Sequence, residues 1–320
     1  MDFFSLLFGW LLINNNSSEL KIEYIDQNCS SIVTVATVDT GVDLNNSVLV
    51  KKIKRDNNGN LSGASFGSIE TVQDFHGHGT HIFDLISRYD ECIRIIPFSY
   101  HVDLGFQKFF NTKDSFISAL EAAVQSEAQI INISGGGSGY FERELELIKK
   151  AEESGKIIVA AVGNEGKNVD KDENKFYPGS YKTKNMITVG AIDSSGNYYT
   201  KSNYGESVDI AALGEDVSAM WLNNQIASIS GTSQATAIVS GAIAKAMLLN
   251  ENLTPGELKL LLFGSAVKTK KNKKYFSGGR VLNQTKLFTM VKKQKVDSSI
   301  VLKQPLKNST NKIDYNVSGS

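Results

Sequence analysis

Three of the four histidines in this 320-residue sequence lie in one short segment, DFHGHGTH, at residues 74–81. Imidazoles at alternate positions can share a metal ion, but no nearby cysteine or carboxylate spacing completes a zinc motif. An imidazole at the start of a helix can instead act as a general base, and His78 precedes residues that have apolar side chains on one helical face. We favour the base, and we expect neither a metal ion nor a cofactor.

A candidate nucleophile lies far along the chain, in the segment SGTSQAT at residues 230–236. These small residues precede a long stretch, rich in Ala and Ile, that is typical of a buried helix. The backbone N–H of Ser233 would lie in the first turn of that helix, where it has no intrahelical partner and can point at an oxyanion. Taken alone, the segment also fits an ordinary helix cap, which is the usual role of serine and threonine there.

Strand-like and helix-like segments alternate, which predicts an α/β fold with a mostly parallel central sheet and helices on both faces, in three layers. The predicted strands cover residues 32–38, 93–98, 129–133, 156–162 and 186–192, and the predicted helices cover 79–88, 114–126, 142–154 and 233–249. Functional side chains in such folds gather at the carboxyl ends of the strands. Asp39, the segment 134–137 and the pair Gly163-Asn164 all follow predicted strands, so we expect them to share one cleft.

Three motifs together carry a family resemblance. The segments VATVDTGVD at 35–43, DFHGHGTH and SGTSQAT follow one another in the order Asp, His, Ser, which is one of the chain orders of the Ser-His-Asp triad. The sequence resembles the subtilases, the subtilisin-like serine proteases, from about residue 30 to 290. The resemblance implies a subtilisin-like fold and a serine endopeptidase with the triad Asp39, His78 and Ser233. An aspartic protease, which Asp39-Thr40-Gly41 also suggests, would need a second such motif, and none follows.

The same resemblance assigns residues to an oxyanion site and a substrate cleft. Asn164 would hold the oxyanion together with the Ser233 backbone N–H. The cleft would be formed by Ser134, Gly135, Gly136, Ala161, Val162, Gly163 and Phe176. The segment 134–136 would bind the substrate backbone as an added strand. Phe176 stands at the base of the pocket for the P1 side chain, where a ring would favour small P1 residues.

The sequence departs from the family pattern beside two of these residues. Gln234 replaces a methionine next to the nucleophile, and a buried amide there needs a hydrogen-bond partner. In the helix that begins near His78, Phe83-Asp84 replaces a small Ala-Gly pair. These changes leave open a second function, a catalytically silent subtilase-fold protein that binds peptides or regulates a partner.

Charge and composition narrow the partners. Lysine plus arginine and aspartate plus glutamate number 34 each, and zero net charge argues against nucleic acid as a partner. We expect a monomer that acts on a protein or peptide substrate. The division we predict is an N-terminal apolar segment at 1–29, a catalytic domain at 30–291 and a polar tail, disordered or loosely docked, at 292–320.

The apolar run at residues 3–13 is too short for a typical transmembrane helix. It has the length of a signal-peptide core, although no Lys or Arg precedes it. The alternative is an N-terminal helix packed on the domain. We favour export slightly over a cytoplasmic location, and we expect no contact with a membrane except through this run.

The sequence has two cysteines, Cys29 and Cys92, and each precedes a predicted strand. If those strands are parallel neighbours, both side chains lie at the same end of the sheet. Two alternatives remain open, a disulfide and a pair of buried thiols.

Overall fold

The computed structural model of the protein describes residues 29–67, 70–100 and 113–303, with side chains up to residue 296. The apolar run at 3–13, and with it the signal-peptide prediction, lies outside the described residues, as do residues 304–320. Within the described ranges, no helix has both the length and the apolar character needed to cross a bilayer.

One sheet of nine strands forms the centre of the fold, and a separate two-stranded antiparallel ribbon (β8–β9) lies beside it. The strands are β1 Val33–Asp39, β2 Ala64–Ser65, β3 Ile93–Ser99, β4 Ile130–Ile133, β5 Ile157–Ala161, β6 Met186–Ile192, β7 Ile210–Leu213, β8 Val217–Met220, β9 Ile226–Ile229, β10 Val267–Lys268 and β11 Arg280–Val281. The order across the sheet is β10-β11-β7-β6-β5-β4-β1-β3-β2. Every neighbouring pair is parallel except β10–β11.

Helices cover both faces of this sheet. They are α1 Ser47–Val50, α2 His78–Ser87, α3 Lys113–Gln125, α4 Glu142–Glu153, α5 Thr232–Leu249, α6 Pro255–Ser265 and α7 Gln284–Lys303. Val33 and Val35 of β1 face the core shared with α2, α5, α6 and α7, whereas Ala36 and Val38 face the core shared with α3 and α4. The predicted three-layer α/β fold with a mostly parallel sheet is confirmed.

The local sequence explains why these segments take these forms. The central strands are buried along their whole length, as expected where helices cover a parallel sheet on both sides. Helix α5 is largely buried and packs across β1 and β4 to β7, which its small Ala and Ser side chains permit. Helix α6 begins at a capping box formed by Thr254 and Glu257.

The first part of the polar tail predicted from residue 292 is helical. Helix α7 continues through Val291, which is buried, to Lys303. The apolar periodicity stops after Val291 because the buried face of the helix ends there, while the helix itself continues with exposed residues such as Lys292 and Lys293. The division of the chain at residue 291 therefore falls inside a helix.

The two cysteines form a disulfide between Cys29 and Cys92. Strands β1 and β3 are parallel neighbours, with Val33 opposite Ile93, so the residues just before them lie at the same end of the sheet. Of the two alternatives left open, the structure contains the covalent bond. It joins the chain before β1 to the start of β3.

We expect the double variant Cys29→Ser/Cys92→Ser to be less stable than the oxidised protein. The bond closes a loop with a sequence separation of 63 residues, and loop-closure entropy for that length corresponds to about 4 kcal/mol in the free energy of unfolding. Urea denaturation of the two proteins at equal concentration measures the difference. Coincident unfolding curves would contradict a stabilising role for this bond.

Candidate active site

Asp39 and His78 meet at the carboxyl edge of the sheet. Asp39 is the last residue of β1 and is 3% exposed, and His78 is the first residue of α2. The His78 Nδ1 and Asp39 Oδ1 atoms are 2.7 Å apart. Asp39 Oδ1 also accepts a hydrogen bond of 2.8 Å from the Thr40 N–H, which fixes the carboxylate that orients the imidazole.

Helix α2 begins where it does because of Gly77. This residue has φ 98°, a left-handed conformation that favours glycine. The ring of Trp221 lies directly against it, and a Cβ atom at position 77 would be 2.2 Å from that ring. Glycine is therefore required both by the backbone turn that presents His78 and by the close approach of Trp221.

The buried carboxylate of Asp74 joins the turn after β1 to the start of α2. Asp74 is 1% exposed. Its Oδ1 accepts hydrogen bonds from Thr40 Oγ1 at 3.0 Å and from the N–H groups of His76 and Gly77 at 2.8 and 2.9 Å. Its Oδ2 accepts from the N–H and the hydroxyl of Thr80 at 2.8 and 2.6 Å. Five bonds to one carboxylate hold the two segments that carry the candidate base and its acidic partner.

The surroundings of His78 change its basicity. Burial lowers the pKa of this imidazole, but the charge of Asp39, the hydrogen bond to Asp39 and the charge of Asp74 together more than offset burial. The net result is a His78 pKa raised above its ordinary value of 6.5. A proton taken up by this ring is therefore stabilised by the carboxylate behind it.

Ser233 lies in the first turn of α5 and is tied to the chain that follows β4. Its Oγ donates a hydrogen bond of 2.7 Å to the Ser134 carbonyl, and the Ser134 hydroxyl donates one of 3.0 Å to the Ser233 carbonyl. Ser134 is in turn held by Asn132, whose Nδ2 lies 3.0 Å from its Oγ and whose Oδ1 accepts from Ser240 at 2.8 Å. The serine hydroxyl is thus turned towards the predicted substrate strand.

Strands β1 and β4 are parallel neighbours, with Thr37 opposite Asn132, so Asp39 with His78 and Ser134 with Ser233 lie at the same edge of the sheet. Tyr89, just after α2, lies against Gly241 of α5, where a Cβ would be 2.2 Å from its ring. The side chain of Lys245 pairs with Asp90 a little further along both segments. These contacts hold the segment after α2 against the middle of α5.

Asn164 follows β5 and is exposed at this edge. Its Oδ1 accepts a 2.8 Å hydrogen bond from the Thr232 N–H at the start of α5. This contact uses the oxygen of the carboxamide, so Nδ2 is the group that remains to donate. The neighbouring N–H of Ser233 lies in the same helical turn, where amides have no intrahelical acceptor.

The predicted walls of the cleft come together around the ring of Phe176. A Cβ atom at Gly136 would lie 2.6 Å from this ring, and one at Gly163 would lie 2.7 Å from it. Gly137 and Tyr177 exchange backbone hydrogen bonds of 2.9 and 2.7 Å, which holds the Phe176 segment against the segment 134–137. The half-buried ring thus fills space between the two glycine-bearing walls.

The other described histidines, His76 and His81, do not form a metal site with His78. His81 is buried, and its Nε2 lies 3.1 and 3.2 Å from the carbonyls of Val217 and Ala227. Burial lowers the pKa of His81. In the parts of the chain that the structure describes, no three metal-ligating side chains come together. His81 therefore links α2 to the β8–β9 ribbon.

The two departures from the family pattern, Phe83-Asp84 and Gln234, differ in whether their polar groups find hydrogen-bond partners. Phe83 is fully buried in the core, and Asp84 accepts a 2.8 Å hydrogen bond from the Met220 N–H while pairing with Arg88. Gln234 is buried, but its Nε2 has no partner among the described residues. The expectation that a buried Gln234 would be hydrogen-bonded is therefore wrong for this nitrogen.

Sequence reasoning missed two side chains near the site. Thr40 donates to Asp74 and accepts a 2.7 Å hydrogen bond from the Gly79 N–H; its place directly after Asp39 was the available signal. Tyr100 is buried with its Oη 2.9 Å from the Cβ position of Gly135, and no motif marked it.

Comparison with known proteins finds one family along most of the chain. The family model described as "Subtilase family" matches residues 30–292. An intracellular serine protease of Paenibacillus polymyxa is 32% identical over 222 residues, which are 66% of this chain and 65% of that relative. Subtilisin DY of Bacillus licheniformis is 30% identical over 240 residues, or 73% of this chain and 83% of that protein. The match to the Paenibacillus protein thus spans just under two thirds of its length.

Solved structures show the same likeness in three dimensions. A chain from the assembly structure of subtilase cytotoxin SubAB superposes with a TM-score of 0.70 at 28% identity. The superposition covers 84% of this chain and 92% of that chain. The A-subunit of an AB5 toxin from E. coli superposes with a TM-score of 0.66, also at 28% identity, over 82% of this chain and 93% of that one.

We expect the His78 imidazole to titrate with a midpoint above 6.5, because Asp39 and Asp74 outweigh burial. In Asp39→Asn the charge and the charged hydrogen bond are lost, so burial dominates and the midpoint moves down. NMR titration of the ring signals, assigned by comparison with His78→Gln, measures both values. Asp193→Asn, an exposed carboxylate distant in sequence, is the control and should leave the midpoint in place. An equal midpoint in wild type and Asp39→Asn would contradict this electrostatic account.

Proposed function

Because this chain belongs to the subtilase family, we propose that it is a serine endopeptidase that cleaves peptide bonds through an acyl-enzyme intermediate. In this proposal Ser233 is the nucleophile, His78 the general base and acid, and Asp39 the group that orients His78. The observation that supports it best is the 2.7 Å contact between His78 Nδ1 and the buried Asp39 carboxylate. That contact leaves Nε2 as the ring atom that can take a proton from a hydroxyl.

The first step requires the Ser233 hydroxyl to leave the Ser134 carbonyl. Rotation about χ1 would move the Ser233 Oγ from this acceptor to another staggered well. The rotated Oγ gives its proton to His78 and attacks the peptide carbonyl carbon. Asp39 stabilises the imidazolium that forms, in keeping with the raised pKa of His78.

The attack places a negative charge on the former carbonyl oxygen. Asn164 Nδ2 and the Ser233 N–H are the proposed donors to this oxyanion, because Asn164 Oδ1 is already held by Thr232 and points the amide group away from that contact. In this family, loss of the asparagine donor lowers kcat by about 10²–10³-fold. His78 then protonates the leaving amine, and water hydrolyses the acyl-enzyme by the reverse proton transfers.

The substrate backbone would lie along the segment 134–136. Once Ser233 Oγ has turned away, the Ser134 carbonyl is a free acceptor for a substrate N–H, as in strand addition. The wall formed by Ala161, Val162 and Gly163 would lie opposite. Phe176 would occupy the base of the P1 pocket between these segments.

One observation favours the second candidate, a catalytically silent peptide-binding protein. The hydrogen bond that the structure gives to Ser233 Oγ goes to Ser134 and not to His78. A protein that kept the hydrogen bond from Ser233 Oγ to Ser134 while a peptide was bound would bind that peptide without cleaving it. The two candidates differ in whether Ser233 reacts as a nucleophile, which a chemical probe can measure directly.

We expect a fluorophosphonate probe to label the wild-type protein, because the probe reacts only with an activated serine. Ser233→Ala should abolish labelling, and His78→Ala should slow it by about a thousandfold or more, since base and nucleophile act as a unit. Labelling is followed on a gel, with circular dichroism to establish that each variant is folded. A folded wild type that is never labelled would reject the endopeptidase and favour the silent binding protein.

We expect Phe176→Gly to widen the range of accepted P1 side chains. Removal of the ring opens the space between Gly136 and Gly163, so kcat/KM for substrates with P1 Leu or Phe should rise relative to P1 Ala by roughly tenfold or more. A peptide library with variable P1 residues measures the profile. Tyr140→Gly, which removes an exposed ring outside this space, is the matched control. An unchanged profile in Phe176→Gly would remove the proposed role of this ring.

A further inference from the structure

A carboxyl group is buried behind the segments that form the candidate P1 pocket. Glu144 lies in the first turn of α4 and is 3% exposed. Its Oε2 is 2.8 Å from Tyr181 Oη, and among the described residues this hydroxyl is the only hydrogen-bond partner of the side chain. An ionised carboxylate that is removed from water needs a cation or several donors, so the protonation state of Glu144 has to be argued from its contacts.

The hydroxyl of Tyr181 makes three polar contacts at once. Its Oη lies 3.0 Å from the Phe141 nitrogen, 3.0 Å from the Phe141 carbonyl oxygen and 2.8 Å from Glu144 Oε2. The Phe141 N–H supplies one hydrogen and the tyrosine supplies one. A single tyrosine hydrogen cannot go both to the Phe141 carbonyl and to an ionised Glu144. All three contacts are hydrogen bonds only when Glu144 carries a proton and donates it to Tyr181.

The surroundings of Glu144 favour this protonated form. Burial raises the pKa of Glu144 to about 7, although the hydrogen bond with Tyr181 and the charge of Lys113 act in the other direction. Lys113, the first residue of α3, holds its Nζ 3.5 Å from the centre of the Phe141 ring. Burial also raises the pKa of Tyr181 above its ordinary value of 10.0, so this hydroxyl keeps its own proton.

The other charged residues in the first turns of α4 have partners elsewhere. The Glu142 carboxylate accepts a hydrogen bond from the Tyr140 hydroxyl. Arg143 pairs with Glu121 of α3 and with Glu146 of α4. These charges therefore neither pair with Glu144 nor donate to it.

The Tyr181 hydroxyl connects two parts of the candidate P1 pocket. Phe176 and Tyr181 belong to one turn, in which the Ser180 N–H donates to the Phe176 carbonyl at 2.9 Å and the Phe176 N–H donates to Ser180 Oγ at 3.1 Å. Tyr181 Oη ties this turn to Phe141, and the backbone bonds of Gly137 tie the same turn to the predicted substrate strand. The position of the Phe176 ring thus depends on both connections.

We propose that Glu144 carries a proton and, as the donor to Tyr181, is a positioning residue for the P1 pocket. This inference rests on the proposed endopeptidase function. When Glu144 loses its proton at higher pH, Tyr181 turns its hydrogen to the carboxylate, and its contact with the Phe141 carbonyl is no longer a hydrogen bond. The turn that carries Phe176 is then held less firmly, so larger P1 side chains are accepted.

The ratio of kcat/KM for P1 Leu and P1 Ala peptides tests the positioning role, because titration of His78 affects both substrates alike and cancels. We expect this ratio to rise severalfold in the wild type between about pH 5.5 and about pH 8.5. Glu144→Gln, whose amide still donates, should keep the ratio low at every pH. Tyr181→Phe, which removes the hydroxyl, should give a high ratio at every pH. Glu146→Gln, at an exposed carboxylate of the same helix, is the matched control and should follow the wild type.

Thermal unfolding reports the proton without any substrate. The folded protein keeps the Glu144 proton to about pH 7, whereas the ordinary pKa of glutamate is 4.5. The unfolded chain therefore releases this proton first, and the wild type loses stability as the pH rises between these two values. Glu144→Gln cannot ionise, so its melting temperature should fall less over this range than that of the wild type. Circular dichroism establishes that each variant is folded.

Equal pH dependence of the melting temperature in the wild type and Glu144→Gln would overturn the protonated carboxyl. A P1 ratio that stays constant with pH in an active wild type would overturn the positioning role. A wild type that neither cleaves peptides nor reacts with the fluorophosphonate would overturn the endopeptidase and with it the positioning role. The melting comparison would then still decide whether Glu144 carries a proton, so the two failures are distinguishable.

Discussion

A carboxylate that is removed from water must find hydrogen-bond donors, and Asp74 finds them all in the two segments that carry Asp39 and His78. Its five bonds hold the turn after β1 and the first turn of α2 as one unit. This arrangement supports the 2.7 Å contact between His78 and Asp39, because it fixes the turn that follows Asp39 against the turn that begins at His78. The raised pKa of His78 thus comes first from the charge and the hydrogen bond of Asp39 and then from the charge of Asp74.

Much of this architecture could be predicted from the sequence, because it depends on local patterns. Runs such as 186–192 are apolar along their whole length, and parallel strands under two helical layers need that pattern; the observed β6 has the same bounds. The family resemblance could also be found in the sequence, because each of Asp39, His78 and Ser233 lies in a short motif of its own. Their roles, and that of Asn164, remain predictions that the experiments above address.

Other features depend on contacts between distant segments, and no local pattern encodes them. The hydroxyl of Ser233 turns to Ser134, 99 residues away in sequence, and the buried Gln234 finds no partner for its Nε2 among the described residues. The length of α7 beyond Val291 could not be read from the sequence, because amphipathic periodicity reports the buried face of a helix and not its length. Asp84, which looked disruptive beside the family's small residues, is matched by Arg88 and the Met220 N–H, a pairing that only the folded chain reveals.

The disulfide also determines where a force on the chain before residue 29 would enter the sheet, which is separate from its contribution to stability. It joins the chain at Cys29 to the start of β3, at the opposite end of β1 from Asp39. A pull on the residues before position 29 is therefore divided at once between two neighbouring strands. The load therefore enters both strands at the same end of seven paired residues. The edge that carries Asp39 and His78 lies at the far end of β1 from the point where this load enters.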